Sequence, residues 1–584
     1  MTFTDVLALV GGLALFLFGM QLMGNALEKK ASGSLKTVLS KMTDNPVTGF
    51  LLGMLVTAVI QSSSATTVMV VGFVNSGIMT LRQAIRIIMG ANIGTTITAW
   101  ILSLTGIDGG AWYVNIFKPD SFVPVLAFVG IVLFMLVKDH KKKDIGMILL
   151  GFATLMTGMS AMSDAVSGLK DVPEFANILT LFQNPILGVL AGAVLTAVIQ
   201  SSSASVGILQ ALSSTGAITF GAALPIIMGQ NIGTCVTALI SCLGANKNAK
   251  RTAFVHLYFN VIGTVVMVTV FWLVQIIFNP AILSGTISEF EIAVVHSAFN
   301  IICTILWIPF TRLLEKLACL TVRDNETKEK YEILDERLLA TPAIAVERSK
   351  AVAETMAQIS VQTFKDSFTL LDDYSQEVCD KVMNGENKVD KYEDRLGSYL
   401  VKVSSLELTD DDSVEATKLL HIINDFERIS DHSVNILQSA EEIAEKRLKF
   451  SGEAKRELAV MMSAVSEIVD LAYNSFINED LDSAIQVEPL EEVVDKLKAS
   501  IKSNHIARLQ KGDCTIELGF VLTDLVTNLE RVSDHCSNLA GCMLEMAHKD
   551  MAIHKYLRSV KDGHKEEYNH YFDYFNMKYD INKI

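Results

Sequence analysis

The nine residues at 57–65, TAVIQSSSA, recur without change at 196–204, an offset of 139 positions. The same offset maps Asn45-Pro46 onto Asn184-Pro185 and the run 92–95 (NIGT) onto 231–234. Each copy is a polar cluster inside a long apolar stretch. Gln61, Ser62, Ser63, Ser64 and Thr66 form one; Gln200, Ser201, Ser202, Ser203 and Ser205 form the other. Amides and hydroxyls supply neutral, hard oxygens that suit a partly dehydrated sodium ion. The N–H groups that open a half-helix, at the positive end of its dipole, suit an oxyanion. Asn92, Thr95, Thr96, Asn231 and Thr234 flank glycines that permit a helix break, and are further candidate ligands. Ser and Thr in membrane helices also bond their own i−4 carbonyl or aid close packing. Two identical copies weigh against that plainer role, because polar groups at membrane depth are costly.

These clusters need elements to hold them. Apolar spans are expected at 6–27, 83–106, 121–137, 145–167, 221–243, 252–278 and 291–318. The apolar arms flanking each QSSS are about 14 to 16 residues long, short of the ~20 that cross a bilayer. Re-entrant hairpins with QSSS at the tip are therefore expected within 46–80 and 185–219. Basic loops set the orientation: Lys29, Lys30, Lys36 and Lys41; Arg82 and Arg86; Lys138, Lys141, Lys142 and Lys143; Lys247, Lys250 and Arg251. All fall on one side when the N-terminus is outside. Three crossings between the hairpins then invert the second copy, which is the plan of an alternating-access carrier. The N-terminus has no basic region before its apolar run and is expected to be a first membrane helix and not a cleaved signal.

The 584 residues divide sharply in composition. Residues 1–320 carry a net charge of +4 and the remainder −19, giving −15 overall. Such acidity disfavours nucleic acid as a partner. The eight cysteines are scattered, with no CxxC, so neither zinc nor a disulfide framework is expected. No P-loop, GxSxG or HExxH is present, and no enzyme is expected. His256/Asn260 and His296/Asn300 repeat an HxxxN pattern, with interhelical hydrogen bonding or proton coupling as its two readings.

Past 340 the pattern is amphipathic helices with a second duplication. Residues 425–432 (DFERISDH) correspond to 528–535 (NLERVSDH), a repeat of about 104 residues, or three helices used twice. ExxxD pairs place carboxylates on one helix face: Glu386 and Asp390, Glu427 and Asp431, Glu491 and Asp495, Glu530 and Asp534. Clustered carboxylates repel unless a metal or a basic residue neutralises them. An all-oxygen set favours Mg²⁺, Mn²⁺, Ca²⁺ or iron. Salt bridging to Arg428 and Arg531 is the competing reading.

The paired QSSS with GANIGTT (90–96) and GQNIGTC (229–235) resembles the type II sodium–phosphate cotransporter family. The second half resembles the PhoU family of phosphate-signalling bundles, in which ExxxD motifs bind metal. The resemblance implies sodium-driven, plasma (inner) membrane phosphate symport, with sodium as the co-transported ion and a divalent metal or iron in a cytoplasmic PhoU-like domain. It also implies a cytoplasmic signalling partner or a homodimer. A membrane-bound phosphate sensor that no longer transports is the alternative. The expected fold is all-α: a helical membrane transporter of two inverted repeats with re-entrant hairpins, then a soluble helical bundle of two tandem three-helix repeats. The expected boundaries are 1–320 for the membrane domain (repeat one about 6–137, repeat two about 145–278, extra span 291–318), 321–343 for a linker, 344–560 for the PhoU-like domain and 561–584 for a tail.

Overall fold

The computed structural model describes residues 3–40, 45–106, 118–171, 181–278, 280–323, 334–548 and 565–581. Lys41, part of the expected linker (324–333) and parts of the expected tail (561–564, 582–584) lie outside the described residues, as does the side chain of Lys36. Among the described residues the chain is helical, without strands. It forms two compact units, Met1–Thr341 and Pro342–Ile584.

The first unit runs α1 (Phe3–Ser40), α2 (Pro46–Ile60), α3 (Ser63–Asn75), α4 (Leu81–Gly94), α5 (Thr96–Leu102), α6 (Pro119–Leu136) and α7 (His140–Val166). It continues with α8 (Pro185–Ile199), α9 (Ser202–Ser213), α10 (Phe220–Gly233), α11 (Cys235–Ser241), α12 (Lys247–Phe278), α13 (Glu289–Trp307) and α14 (Thr311–Thr321). Six described stretches are long and apolar enough to cross a membrane: Phe3–Lys30, Leu81–Gly106, Lys141–Leu169, Phe220–Ser241, Lys247–Phe278 and Glu289–Thr321. Only 17% of the apolar window of Lys247–Phe278 is buried, so its side chains face outward, as lipid requires. The chain is a multi-pass membrane protein. The span expected at 121–137 forms the shorter apolar stretch Ser121–Leu136. A three-residue turn joins it to α7, and Gly130 and Gly146 let the two pack closely, as antiparallel neighbours.

Glycines reveal how the repeated elements pack. A Cβ on Gly53 or Gly90 would lie 2.0 Å from the carbonyl oxygen of Ile87 or Phe50, so α2 and α4 touch backbone to backbone. The same holds 139 residues on, where Gly192 and Gly229 press α8 against α10 at 2.1 and 2.0 Å. The offset also equates α1 with α7. These two helices run antiparallel: Gly12 faces Gly158, and Gly19 faces Gly151. In the segment expected as a linker, residues 336–340 form a 3-10 turn that belongs to the first unit. Asn75 at the end of α3 donates to Asp335 at 2.7 Å, and Arg337 donates to the Leu243 carbonyl at 3.1 Å.

The second unit comprises α15 (Pro342–Asp372), α16 (Gln376–Ser404), α17 (Asp410–Glu445), α18 (Gly452–Ile477), α19 (Leu481–Lys511), α20 (Ile516–His548) and α21 (Lys565–Lys578). α15–α17 pack as one three-helix group and α18–α20 as another; α17 and α20 join the groups, and α21 lies on α19. Buried Phe364, Phe426 and Phe476 anchor the core.

Candidate functional site

Each QSSS is a helix break built the same way. Gln61 and Gln200 adopt left-handed backbone, both with φ 59°, and end α2 and α8. Ser62 and Ser201 then cap the next half-helix, their hydroxyls accepting from Ala65 N (3.1 Å) and Ala204 N (3.2 Å). At 15 residues, α2 and α8 extend only ~22 Å, less than a ~30 Å hydrocarbon core. The cap leaves each serine O–H free to donate, and the first N–H groups of α3 and α9 remain at the positive end of the dipole.

The two breaks come together. Gln61, Ser62 and Ser64 line a cavity of about 210 Å³ with Gln200, Ser201, Ser202 and Ser203. That is smaller than the ~300 Å³ and above typical of organic-ligand pockets, and suits a small inorganic ion. A third wall comes from α1: Met20, Gln21, Gly24, Asn25 and Glu28. Sequence reasoning missed this wall. Its available signal was three polar residues, Gln21, Asn25 and Glu28, at i, i+4, i+7 on one face of an apolar helix.

The remaining expected ligands sit behind the tips. Ser63 accepts from Thr95 at 3.1 Å, and Thr66 accepts from Thr57 at 3.1 Å while donating to the Ser62 carbonyl. Thr98 donates to Gln61 Oε1 at 2.9 Å, holding that amide in place. Asn92, Asn231, Thr96 and Thr234 donate to carbonyls three or four residues back, in α4 or α10, in the structural mode common for membrane helices. None of these lines the tip cavity. The copies differ behind the second tip. Thr196 Oγ1 and Ser205 Oγ, equivalent to the bonded Thr57 and Thr66, are buried without a partner. So is Oε1 of Gln230, whose Nε2 donates to the Ser205 carbonyl at 3.0 Å. Gln230 was also missed; its counterpart in the first copy is Ala91.

A second cavity, of about 680 Å³, lies at the other end of α9, where Ser213 meets Thr105, Asp164, Ser288 and Glu291. The HxxxN pairs do not form the expected interhelical bonds through their histidines. Asn260 and Asn300 donate back to His256 and His296 carbonyls, and only Asn260 also reaches across, to Cys235. The His296 ring nitrogens and His256 Nδ1 are buried without a partner.

In the second unit, the ExxxD carboxylates of the first repeat feel one another. Burial, then Asp431, push Glu427 up to about 7. Glu386 is raised by burial, then by Asp431 and Asp390. Arg428 bonds Asp431 at 3.2 Å. In the second repeat, Lys498 pairs with Glu530 at 2.5 Å, while Glu530 Oε2 has no partner. Asp534 is raised by burial, then by Glu530 and Asp495. Among the described residues no group of three or more His, Cys, Asp or Glu is gathered to hold a metal ion. The repeats meet through a reciprocal pair: His432 Nδ1 reaches Asn528 and His535 Nδ1 reaches Asp425, each at 2.9 Å.

The Na+/Pi-cotransporter family model matches residues 15–164 and 168–287, and the PhoU domain model matches 353–440 and 458–543. The chain belongs to the Na+/Pi-cotransporter family and carries a PhoU domain. It is 25% identical over 569 residues to a putative inorganic phosphate export protein, YjbB, of Salmonella typhimurium, covering 93% of this chain and 98% of that one. It is 30% identical over 313 residues to an uncharacterized protein, YqeW, of Bacillus subtilis, covering 53% and 95%. Over 102 residues it is 41% identical to the sodium-dependent phosphate transport protein 2B of Homo sapiens, covering 17% and 15%. The family is one of phosphate transporters and not an enzyme class.

Proposed function

We propose that the protein couples inorganic phosphate movement to sodium by alternating access, with the two QSSS tips as a shared site. The observation that carries this reading is the single small cavity lined by both tips. Five serines and two half-helix N-termini line it, a donor set for a tetrahedral oxyanion. The leftover oxygens of Thr196, Ser205 and Gln230 are neutral and hard, and suit a sodium ion beside the second tip. The antiparallel packing of the equivalent helices α1 and α7 supports inverted repeats. The cavities at opposite ends of α9 suit access from opposite sides, with rocking of one repeat against the other opening each in turn.

On this reading the protein lies in the plasma (inner) membrane with its basic loops and second unit on the cytoplasmic side. The PhoU domain is regulatory, acting through a signalling partner or a second copy. A divalent metal or iron there would sit on Glu386, Asp390, Glu427 and Asp431, neutralising their repulsion; the donor chemistry fits. The second set is Glu491, Asp495, Glu530 and Asp534; in both sets a basic side chain already pairs with a carboxylate, Arg428 with Asp431 and Lys498 with Glu530, and a metal would displace it. The transport direction follows the gradients, so export, as named for the Salmonella relative, and uptake use the same site. Radiolabelled phosphate flux in proteoliposomes, with sodium replaced by potassium or choline, tests the reading. Sodium-stimulated flux is expected. Saturable phosphate binding with no flux in either direction would replace the carrier with a sensor.

A further inference from the structure

The α1 wall of the tip cavity carries a group that an anion site does not call for. Gln21, Asn25 and Glu28 share one face of α1, and Gln21 Nε2 donates to Asn25 Oδ1 at 2.6 Å, which orders the amide pair. Gly24 brings this face in: a Cβ there would stand 3.1 Å from the Ile60 carbonyl, at the end of α2. The half-buried Glu28 carboxylate therefore shares a 210 Å³ cavity with both serine tips. Lys29, the next residue, points to Asp144 on α7 at 3.6 Å.

An ionised carboxylate accepts hydrogen bonds and donates none. Beside a bound phosphate it repels, and at a few ångströms in a partly dry site that repulsion lowers joint occupancy by roughly tenfold or more. A cation bound between the two reverses the sign. Ionisable groups at membrane depth commonly mark such coupling positions.

We propose that Glu28 makes phosphate occupancy conditional on a sodium ion held at the α1 wall, separate from the oxygens of the second hairpin. This inference rests on the tips being the phosphate site. Glu28 is thus a coupling residue: it does not bind phosphate, and it penalises phosphate that arrives without its cation.

The test is equilibrium binding of radiolabelled inorganic phosphate to the purified full chain, across a sodium series balanced with choline. Relative to wild type, E28Q is expected to bind phosphate about tenfold tighter or more without sodium. Its enhancement by sodium is expected to be smaller by a similar factor, while E28D keeps the wild-type pattern. A sodium response in E28Q equal to that of wild type overturns the inference. A second readout needs no variant: carbodiimide labelling of Glu28, followed by mass spectrometry. Sodium with phosphate is expected to slow labelling about tenfold, and unchanged labelling overturns the inference. Were wild type to bind no phosphate at any sodium concentration, the tip reading would fall with it. Were wild type to respond to sodium with E28Q alike, only the role of Glu28 would fall.

Discussion

The serines that begin α3 and α9 do two jobs in the proposed site, and the jobs separate by substitution. Ser62 and Ser201 cap their half-helices through the hydroxyl oxygen, at 3.1 and 3.2 Å, and line the cavity. Replacing a serine cap with alanine costs about 1 kcal/mol of helix stability, whereas glycine costs only a few tenths. A hydrogen bond to a charged ligand is worth about 1.5–3 kcal/mol, or roughly 10- to 150-fold in affinity. If the hydroxyl donates to phosphate, S62G and S62A, and likewise S201G and S201A, all lose that factor. If the hydroxyl is only a cap, alanine weakens binding by about fivefold or less and glycine leaves it near wild type. Phosphate binding to purified variants, with thermal midpoints measured in parallel, separates the cases. Glycine variants that bind like wild type would refute a ligand role for these serines.

Substituting Gly90 or Gly229 with alanine puts a methyl 2.0 Å from a backbone oxygen, so loss of monodisperse protein on size exclusion is expected; Gly11→Ala, with nothing within 4 Å, is the benign control. S205A or Q230A should raise the sodium concentration for half-maximal phosphate binding about tenfold, because each removes an oxygen of the proposed sodium site; T66A should instead lower thermal stability by about 1 kcal/mol, because it breaks the bond from Thr57. In the second unit, the raised Glu427 favours the protonated folded form. Its stabilising contribution is complete below the unfolded carboxylate range near 4.5 and is lost as pH rises through about 7, so the thermal midpoint should fall across that window and E427Q should flatten the fall. Adding Mn²⁺ at pH 8 should raise the midpoint of wild type but not of E427Q, as followed by scanning calorimetry.

The hairpins were legible because duplication exposed them. A helix of 15 residues ending in QSSS reads as a break at any single site, but the 139-residue echo fixes its limits, and the structure gives Gln61 and Gln200 the same backbone angle. The glycine contacts were harder to see, since GxxxG spacing in an apolar run (Gly49 and Gly53, Gly90 and Gly94) says nothing of the partner until the two arms of each copy fold together. What stayed hidden is the α1 wall. Under the offset Gln21, Asn25 and Glu28 correspond to Ser160, Asp164 and Ser167, also polar but different in type, and Ser160 and Asp164 line the cavity at the other end of α9 instead of the tips. Three of the expected ligands, Asn92, Asn231 and Thr234, look alike in sequence to cavity residues. Yet each turns to its own helix, because a buried amide or hydroxyl takes the nearest free carbonyl. The 336–340 turn, docked through Asp335 and Arg337, lies in a polar stretch whose composition gives no sign of burial.

The claim on which the rest depends is that the two serine tips form one sodium-linked phosphate site. Phosphate flux through proteoliposomes under a sodium gradient, imposed first inward and then outward, tests it most directly. Net phosphate movement should follow the sodium gradient each way and be lost in S62A and S201A alike. Movement indifferent to sodium, or undiminished when one tip is altered, would contradict a shared site.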